Sequence, residues 1–452
     1  MKKIILAFAV LFLASSGVWG QTESPWTMQQ CIDQALQYNL ELKRQELILK
    51  STGQDHRQSK LDLLPNLNGS LQHELGSGRV LDRGTYEWKD ANVSQGGLGM
   101  QSDLTLFDGL QGLNNMKMNK ANYQMNQENL EALVDNVTIQ VITGYLDLLR
   151  NQELATVADT VVKVSRQQVE RMERLVEVGN EPKGRLLEVN AQLSAEKLLY
   201  TRAVNAREIA RLNLMHVMNL SDADGFEIEK PLLPDPSVLA IPDLDSVFQY
   251  ALVNLPQIKS TEFGIESKER NLAMQRGSRS PRLYASGMYY SNYSDGLINP
   301  LDPDPSNPTM DYPTSEQITN NQYKQVTVGL NIPIFNRWQV QTNINKAKLD
   351  LQDAEYQYET AVLLMQQTLQ QYHTEALAAQ DNYLSAQESV ANSDEAYRFA
   401  LEKFRVGTGT SLELQQARSQ LYESASDMIS SKYVLIFYTK ILDFYMGKEI
   451  VF

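Results

Sequence analysis

Cysteine and histidine are scarce in this sequence, which has one cysteine, Cys31, and four histidines in 452 residues. A single cysteine cannot form a disulfide within the chain, so we expect stability to come from packing or from oligomerisation. The histidines, at positions 56, 73, 216 and 373, lack metal-ligand spacing, so we predict no metal site and no cofactor. Phosphate-binding loops, nucleophile elbows and paired-acid motifs are also absent from the sequence, and we therefore expect no enzyme.

Long apolar runs are missing as well, apart from one at the start of the chain. Residues 4–13 are apolar, follow Lys2 and Lys3, and lead into small residues up to Gly20. This layout predicts a signal peptide over residues 1–20. A membrane anchor is the alternative, but a spanning helix needs about 20 apolar residues. A lipoprotein would carry cysteine where this chain has Gln21.

Basic residues are outnumbered by acidic ones. The chain has 41 lysines and arginines against 55 aspartates and glutamates, a net charge of −14. Without residues 1–20, which hold two lysines and no acid, 39 basic residues face 55 acids and the net charge is −16. Nucleic acid is therefore not an expected partner.

An exported chain without an apolar helix is expected in the periplasm, outside the cell, or in an outer-membrane barrel.

The second half of the chain repeats short sequence motifs of the first half. Residues 35–43 read ALQYNLELK, and residues 251–259 read ALVNLPQIK, an offset of 216. Other matched pairs follow in the same order. Pro65 and Pro281 are 216 residues apart, whereas Phe107 and Phe335 are 228 apart, as are Gly179 and Gly407. The offset grows at a loop rich in proline and aspartate, residues 299–308, where an insertion is well tolerated. These matches predict a tandem duplication.

Each half is predicted to contain a helix, two strands, a long helix, a turn and a final helix. The first repeat is expected over residues 21–219, with a hairpin at 66–107 and a turn near Gly179. The second is expected over residues 242–452, with a hairpin at 282–335, a turn near Gly407 and a C-terminal equatorial segment. Residues 220–241, which include three prolines, form the predicted equatorial linker.

Both predicted hairpins alternate apolar and polar residues. Leu67, Leu71 and Leu75 fall on one face of the first strand, and five residues alternate in the last: Val326, Val328, Leu330, Ile332 and Ile334. The strand from Leu283 is rich in tyrosine, which is compatible with an aromatic girdle. Strands with an apolar outer face suit a membrane barrel, although the edge of a soluble sandwich shows the same pattern. Two hairpins are too few to close a barrel, so a barrel requires several copies of the chain.

Proline is absent from residues 110–177 and from residues 336–407. A continuous helix over each run would be about 100 Å long, which favours a coiled-coil arrangement. Behind each turn, apolar residues recur at a spacing near 3.5, with Glu196 and Arg207 interrupting the first seam. An ordinary buried helix face is the alternative.

Four segments carry a resemblance to a known family. They are residues 26–43 (WTMQQCIDQALQYNLELK), residues 63–67 (LLPNL), residues 106–109 (LFDG) and residues 404–414 (FRVGTGTSLEL). In this order, and doubled, they resemble the TolC family of outer-membrane factors over nearly the whole chain after residue 20. The fold that the resemblance implies is mainly α with membrane β. It is a homotrimer with a twelve-stranded β-barrel in the outer membrane, continued by a long α-helical barrel in the periplasm.

The resemblance also implies partners and a function. A periplasmic adaptor (membrane fusion protein) would grip the tip of the tunnel, and an inner-membrane pump of the RND or ABC type would load it. We therefore predict an outer-membrane channel of a tripartite efflux or export system. Multidrug-type efflux is favoured over type I protein secretion, although the sequence does not identify the cargo. The rival hypothesis is a periplasmic structural coiled coil or adaptor that never enters the membrane.

By the same resemblance, the two glycine turns are the predicted adaptor contacts. The residues concerned are Val178, Gly179, Arg405, Val406, Gly407 and Ser411. The alternative is that the glycines only reverse the chain, since glycine tolerates a positive φ.

The resemblance further places a periplasmic aperture just behind the second turn. Glu413 and Gln416 stand where the best-known relative has two carboxylates. Three copies of Glu413 would favour cations and raise their own pKa values by mutual repulsion. Gln416, Gly409 and Phe404 depart from that relative, so its closing mechanism cannot be transferred. Glu413 as a solvated helix residue is the alternative.

Overall fold

The computed structural model of the chain describes residues 25–81, 86–221, 225–233 and 235–448. The predicted signal peptide, residues 1–20, lies outside these ranges. The chain forms two compact units. The first unit comprises Met1–Lys43, Leu133–Ala251 and Gln366–Phe452, and the second comprises Arg44–Ala132 and Leu252–Met365.

Helices and strands follow in nearly the same order in the two halves of the chain. The first half contains α1 (Met28–Tyr38), α2 (Leu40–Leu61), β1 (Asn68–Leu81), β2 (Trp88–Phe107), α3 (Gln111–Glu177) and α4 (Lys183–Val217). After a short 3-10 helix (Pro236–Val238), the second half contains α5 (Leu244–Asn254), α6 (Pro256–Gly277), β3 (Arg282–Ser294), α7 (Thr314–Asn320), β4 (Tyr323–Asn331), α8 (Gln339–Arg405) and α9 (Ser411–Tyr445). None of the helices in the described ranges is long and apolar enough to cross a membrane.

The long helices have the same length in both halves. Helices α3 and α8 have 67 residues each, and α4 and α9 have 35 each. The single helix predicted at the start of each half is instead two, because the chain bends at Asn39 and at Leu255. The Asn39 side chain accepts from the N–H groups of Glu41 and Leu42, and Pro256 begins α6. An amide cap and an N-terminal proline both start a new helix rather than continue the old one.

The second unit contains an antiparallel sheet with strand order β1-β2-β3-β4. Leu71 lies opposite Leu98, and Ala285 opposite Val328, so the apolar residues of neighbouring strands share one face. On that face Leu71 is 81% exposed and Val326 is 83% exposed. The described residues thus leave the apolar face of the sheet uncovered.

Glycines on the polar face of the sheet lie beneath tyrosine rings. A Cβ at Gly97 would lie 2.7 Å from Tyr290 Oη, and one at Gly329 would lie 2.4 Å from Tyr284 Cζ. Glycine at these two positions leaves room for the tyrosine rings. The register puts Tyr289 on the apolar face but Tyr284 and Tyr290 on the polar face, so β3 contributes only part of the aromatic girdle that its composition predicts.

The last strand is shorter than the alternation predicts. Strand β4 ends at Asn331, so Ile332 and Ile334 fall beyond it. Pro333 has no N–H to donate to a ladder, which accounts for the early end. The loop before β4 contains the unpredicted helix α7, and within that loop Asp302 accepts from the N–H groups of Met310, Asp304 and Thr309. These hydrogen bonds lower the pKa of Asp302.

In the first unit, the N-terminal segment joins the predicted equatorial linker. The N–H of Trp26 donates to Glu227 O at 2.7 Å, and the N–H of Glu229 donates to Trp26 O at 2.9 Å. The buried Tyr145 hydroxyl in α3 donates to Glu229 O at 2.6 Å. Trp26 thus pairs with the segment that the sequence predicts as the linker, residues 220–241.

Candidate functional site

Two turns in the first unit reverse the chain between long helices. The first tip turn, residues 178–182, joins α3 to α4, and the second tip turn, residues 406–410, joins α8 to α9. Gly179 has φ +78° and Gly407 has φ +80°. The N–H of the next residue bonds back to the helix in both turns, from Asn180 to Leu175 O at 2.9 Å and from Thr408 to Lys403 O at 3.0 Å. Both helices thus end in the glycine cap that satisfies their last carbonyl groups.

The predicted contact residues of the tips are largely at the protomer surface. Val178 is 69% exposed and Val406 is 71% exposed. Arg405, the last residue of α8, donates to Glu402 at 2.8 Å. Ser411, the sixth predicted residue, is the first residue of α9 rather than part of the turn. The two valines therefore present apolar side chains that the described residues leave mostly uncovered.

Only the second tip turn leads into a capped helix. The Thr410 hydroxyl accepts from the N–H of Glu413 at 3.2 Å, and the Glu413 carboxylate accepts from the N–H of Thr410 at 3.1 Å. This reciprocal pair is a capping box. Helix α4 starts after Pro182 without a side-chain cap. Glu413 therefore has a local structural role at the start of α9, and its role at an aperture stays a prediction.

The departure at Gly409 has a packing reason. A Cβ at Gly409 would lie 3.0 Å from both Lys403 Cβ and Phe404 N, which is tighter than nearly all real contacts. A side chain at this position would require its neighbours at the end of α8 to shift by a few tenths of an ångström.

Helices α4 and α9 are joined near the tips by a hydrogen bond between side chains. Ser411 Oγ donates to Glu188 Oε2 at 2.7 Å. Ser411 belongs to the second tip and Glu188 lies in the second turn of α4, so the bond connects the two hairpins of one protomer. The structure thus brings Ser411 together with a residue that the sequence analysis did not select.

Further from the tip turns, a buried ion pair also joins α4 and α9, and it was not predicted from the sequence. Arg418 Nη2 in α9 is 2.8 Å from Glu196 Oε1 in α4, and the two side chains are only 8% and 4% exposed. Arg418 Nη1 also donates to Ser165 at 2.7 Å and to Gln168 at 3.0 Å, both in α3. Gln192 donates to Glu196 at 2.7 Å. One arginine therefore fastens α9 to both helices of the first hairpin.

The ion pair is incompletely satisfied. Arg418 Nε and Glu196 Oε2 are buried without a hydrogen-bond partner in the described part of the chain. Arg418 also borders a cavity of about 320 Å³ that Phe404 and Leu412 help to line. The sequence shows one sign of this ion pair, which is that the charged residue Glu196 interrupts an apolar seam.

A second charged cluster contacts the segment predicted as the equatorial linker, residues 220–241. Glu153 in α3 lies 2.8 Å from Lys230 Nζ and 3.4 Å from Lys432 Nζ. Burial alone would raise the pKa of Glu153, but the hydrogen bond from Lys230 and the charge of Lys432 outweigh it. The pKa of Glu153 is therefore held below its ordinary value of 4.5. The linker is thus fastened to α3 by charge as well as by backbone hydrogen bonds.

No cluster of three His, Cys, Asp or Glu side chains in the residues that the structure describes could hold a metal ion. Cys31 is fully buried, and burial raises the pKa of its thiol to about 12. Its thiol is therefore protonated and unreactive at neutral pH.

The chain matches a known protein family twice. The model of the family described as "Outer membrane efflux protein" matches residues 31–220 and again residues 247–435. The chain is also 21% identical over 446 residues to the outer membrane efflux protein BepC of Brucella suis biovar 1 (strain 1330), covering 96% of this chain and 89% of BepC.

Solved structures share the fold at low sequence identity. The outer membrane protein VceC of Vibrio cholerae has a TM-score of 0.76 at 14% identity, covering 93% of this chain and 96% of VceC. The CmeC outer membrane channel of Campylobacter jejuni has a TM-score of 0.77 at 16% identity, covering 93% of this chain and 85% of CmeC. A membrane protein of Pseudomonas aeruginosa also has a TM-score of 0.77, at 13% identity, with 93% of each chain covered.

Proposed function

The chain belongs to the outer membrane efflux protein family, and from that premise we propose that three copies form a channel through the outer membrane. The channel would pass substrates from a periplasmic adaptor and an inner-membrane pump to the exterior. It would act as a conduit and not as an enzyme. The barrel would lie in the outer membrane, and the helical tunnel would extend into the periplasm.

The observation that carries the proposal is the four-stranded sheet with its uncovered apolar face. Within the described residues, β1 and β4 each pair on one side only, which leaves two sheet edges open. Exposed edges and an exposed apolar face are unfavourable in water. Closing three sheets edge to edge would pair every strand and turn the face that carries Leu71 and Val326 toward lipid.

The similar helix lengths in the two halves of the chain support a tunnel built from similar hairpins. The equal lengths of α3 and α8, and of α4 and α9, fit a tandem repeat, as do the two matches to one family model. Three chains with two helical hairpins each would surround one axis with six similar units. The polar face of the sheet would then line the barrel.

The tip turns are proposed as the adaptor contact. Val178 and Val406 offer exposed apolar side chains at the ends of the two hairpins, beside Gly179, Gly407 and Arg405. Ser411, which bonds to Glu188, would support the second turn rather than dominate the contact. Efflux is favoured over type I protein secretion because the relative BepC is called an efflux protein. The pump class, RND or ABC, stays open.

The aperture is proposed to include Glu413, with Gln416 on the same helix. Both side chains are exposed in the protomer. Glutamine serves at the third position of a capping box as well as glutamate does. The variant Glu413→Gln therefore removes the charge and keeps the helix start, which makes it a clean test of a charged ring.

The experiment is single-channel conductance of the purified protein in a planar bilayer, wild type beside Glu413→Gln. Small cation-selective openings that lose selectivity in the variant would support both the channel and the ring. Equal selectivity would keep the channel and reject the ring. A protein that is soluble without detergent, shows no heat-modifiable trimer and does not conduct even with an opened tip would favour the periplasmic rival.

A further inference from the structure

A cavity lies between the two helical hairpins in the first unit, close to the tip turns. Its volume is about 320 Å³. The first hairpin contributes Gln168 of α3 together with Val189 and Gln192 of α4, and the second contributes residues from the end of α8 and the start of α9. One water occupies only about 30 Å³, and small-molecule sites begin at about 300 Å³. The cavity therefore has room for a small organic molecule.

Part of the lining is apolar. Phe404 of α8 and Leu412 and Leu414 of α9 belong to it, as does Val189 of α4. Leu414 is buried, and Phe404 is half-buried. An aromatic ring or a branched alkyl group that packs against these side chains leaves water, which favours binding.

The polar part of the lining contains a buried donor without an acceptor. Arg418 lines the cavity with a side chain only 8% exposed. Its two Nη atoms bond to Glu196, Ser165 and Gln168. Within the described residues, the Nε–H of Arg418 has no partner. An unpaired buried donor costs free energy, so a ligand that brings an acceptor to it gains that free energy back.

The charges around the cavity define the kind of acceptor that fits. The charge of Arg418 is already matched by Glu196, at 2.8 Å. The other charged residue in the lining is Glu188, whose carboxylate accepts from Ser411 at 2.7 Å. Glu188 repels a further anion, and Arg418 repels a cation placed beside its Nε–H. A neutral acceptor, such as the carbonyl oxygen of an amide or an ester, avoids both repulsions.

We propose that this cavity binds a small neutral amphiphile, whose carbonyl-type oxygen accepts from the Nε–H of Arg418 and whose apolar part packs against Phe404 and Leu414. The bound molecule contacts α4 and α9 at once, so it fastens the second hairpin to the first near the tip turns. In the channel proposed above, it would restrain the tips from moving apart. That consequence rests on the proposed function, whereas the binding itself does not.

Hydrogen exchange by mass spectrometry tests the binding, on the full-length protein in lipid nanodiscs. The probe is N,N-dimethylbenzamide, which has a carbonyl acceptor, an aromatic ring and no charge. A molecule of this size is expected to bind with a dissociation constant on the order of 1 mM. At about 10 mM probe, exchange in the surrounding helices should then slow roughly tenfold. We expect this in peptides around Glu188 and Leu414, and unchanged rates in peptides from the sheet.

Two charged probes of similar shape test the chemistry of the ligand. Benzoate is an anion at neutral pH, and N,N-dimethylbenzylamine is a cation. At the same concentration, each should slow exchange by less than about twofold, because each meets a like charge. Either one slowing exchange as much as the amide would overturn the assignment to a neutral ligand.

Three variants test the site, each compared with its own exchange rates without probe. Arg418→Lys keeps the charge beside Glu196 but lacks the Nε–H, so binding should weaken about tenfold and the slowing should fall to about twofold. Arg398→Lys is the matched control in an exposed pair on α8, and it should keep the full slowing. Leu412→Trp puts a larger side chain at the cavity and should abolish the slowing, although it leaves the ion pair intact.

Two results overturn the site. One is wild-type exchange that the amide leaves unchanged, and the other is equal slowing in the wild type, Arg418→Lys and Leu412→Trp. Single-channel recording with the amide tests the consequence, and we expect fewer openings of the wild type and no change in Leu412→Trp. A wild-type channel whose openings the amide does not reduce rejects the restraint on the tips. Slowed exchange in a protein that never conducts keeps the site and rejects the proposed channel.

Discussion

Replacing Arg418 with alanine would leave a carboxylate buried without its counter-ion. Arg418 and Glu196 are 2.8 Å apart, with side chains 8% and 4% exposed. Removing one partner of such a pair typically costs about 3–5 kcal/mol, because the remaining charge stays desolvated. Gln192 still donates to Glu196 at 2.7 Å, so we expect a loss near the lower end of that range.

The loss should be visible as faster hydrogen exchange in α4 and α9 around the pair. Each 1.4 kcal/mol of local opening free energy changes the exchange rate about tenfold, so a loss of about 3 kcal/mol speeds exchange roughly 100-fold. The measurement is amide exchange by mass spectrometry on the assembled protein, comparing peptides around Glu196 and Arg418 with peptides from the sheet. We expect the sheet peptides to keep their rates.

Two further variants separate this reasoning from a general loss of stability. Arg398 pairs with Asp394 on α8 with side chains 70% and 43% exposed, so Arg398→Ala should cost about 0.5 kcal/mol or less. Replacing the buried pair by Arg418→Met with Glu196→Leu should restore slow exchange, since an apolar pair leaves no charge unpaired. Exchange around Glu196 that is no faster in Arg418→Ala than in Arg398→Ala would refute the reasoning.

Three other predictions concern the turns and the linker. Gly407→Ala should destabilise the second tip turn by about 1–2 kcal/mol, because φ at this residue is +80°. The control Gly184→Ala lies in a helix with open space around the added Cβ and should stabilise the protein slightly. Thermal denaturation compares the two variants. Thr410→Ala should cost about 1 kcal/mol through loss of the cap, seen as faster exchange at the start of α9 and nowhere else. Folding lowers the pKa of Glu153, so its stabilisation of the linker is present above pH 4.5 and is lost as the pH falls through the lower folded value. An acid titration followed by Trp26 fluorescence should show this loss. The variant Lys230→Met should remove most of the pH response. A pH response unchanged in Lys230→Met would contradict that assignment.

Features that depend on neighbouring residues could be predicted from the sequence. The proline-free runs contain helices of 67 residues, and the two glycines occupy the turns with positive φ. The alternation around Leu71 corresponds to one face of a strand. The family was also identified correctly, since its motifs are local and recur in order. Each of these rests on backbone preferences or on side-chain period.

Features that depend on distant partners could not be predicted in this way. Glu196 was noted only as an interruption of a seam, because its partner Arg418 is 222 residues away and belongs to the other hairpin. The role of Glu413 in a cap was also missed, although Thr410 three residues earlier is a visible capping signal. The predicted roles of Glu413 and Gln416 at an aperture stay predictions.

The sequence by itself therefore determined the family and the order of the strands and long helices, but not α7 or the bends at Asn39 and Leu255, because helix, strand and turn preferences act over a few residues. The tertiary structure decided which face of each element meets which neighbour, because that depends on how helices dock after they form. Docking buried Arg418 against Glu196, although these two residues are 222 positions apart in the chain and lie in different hairpins.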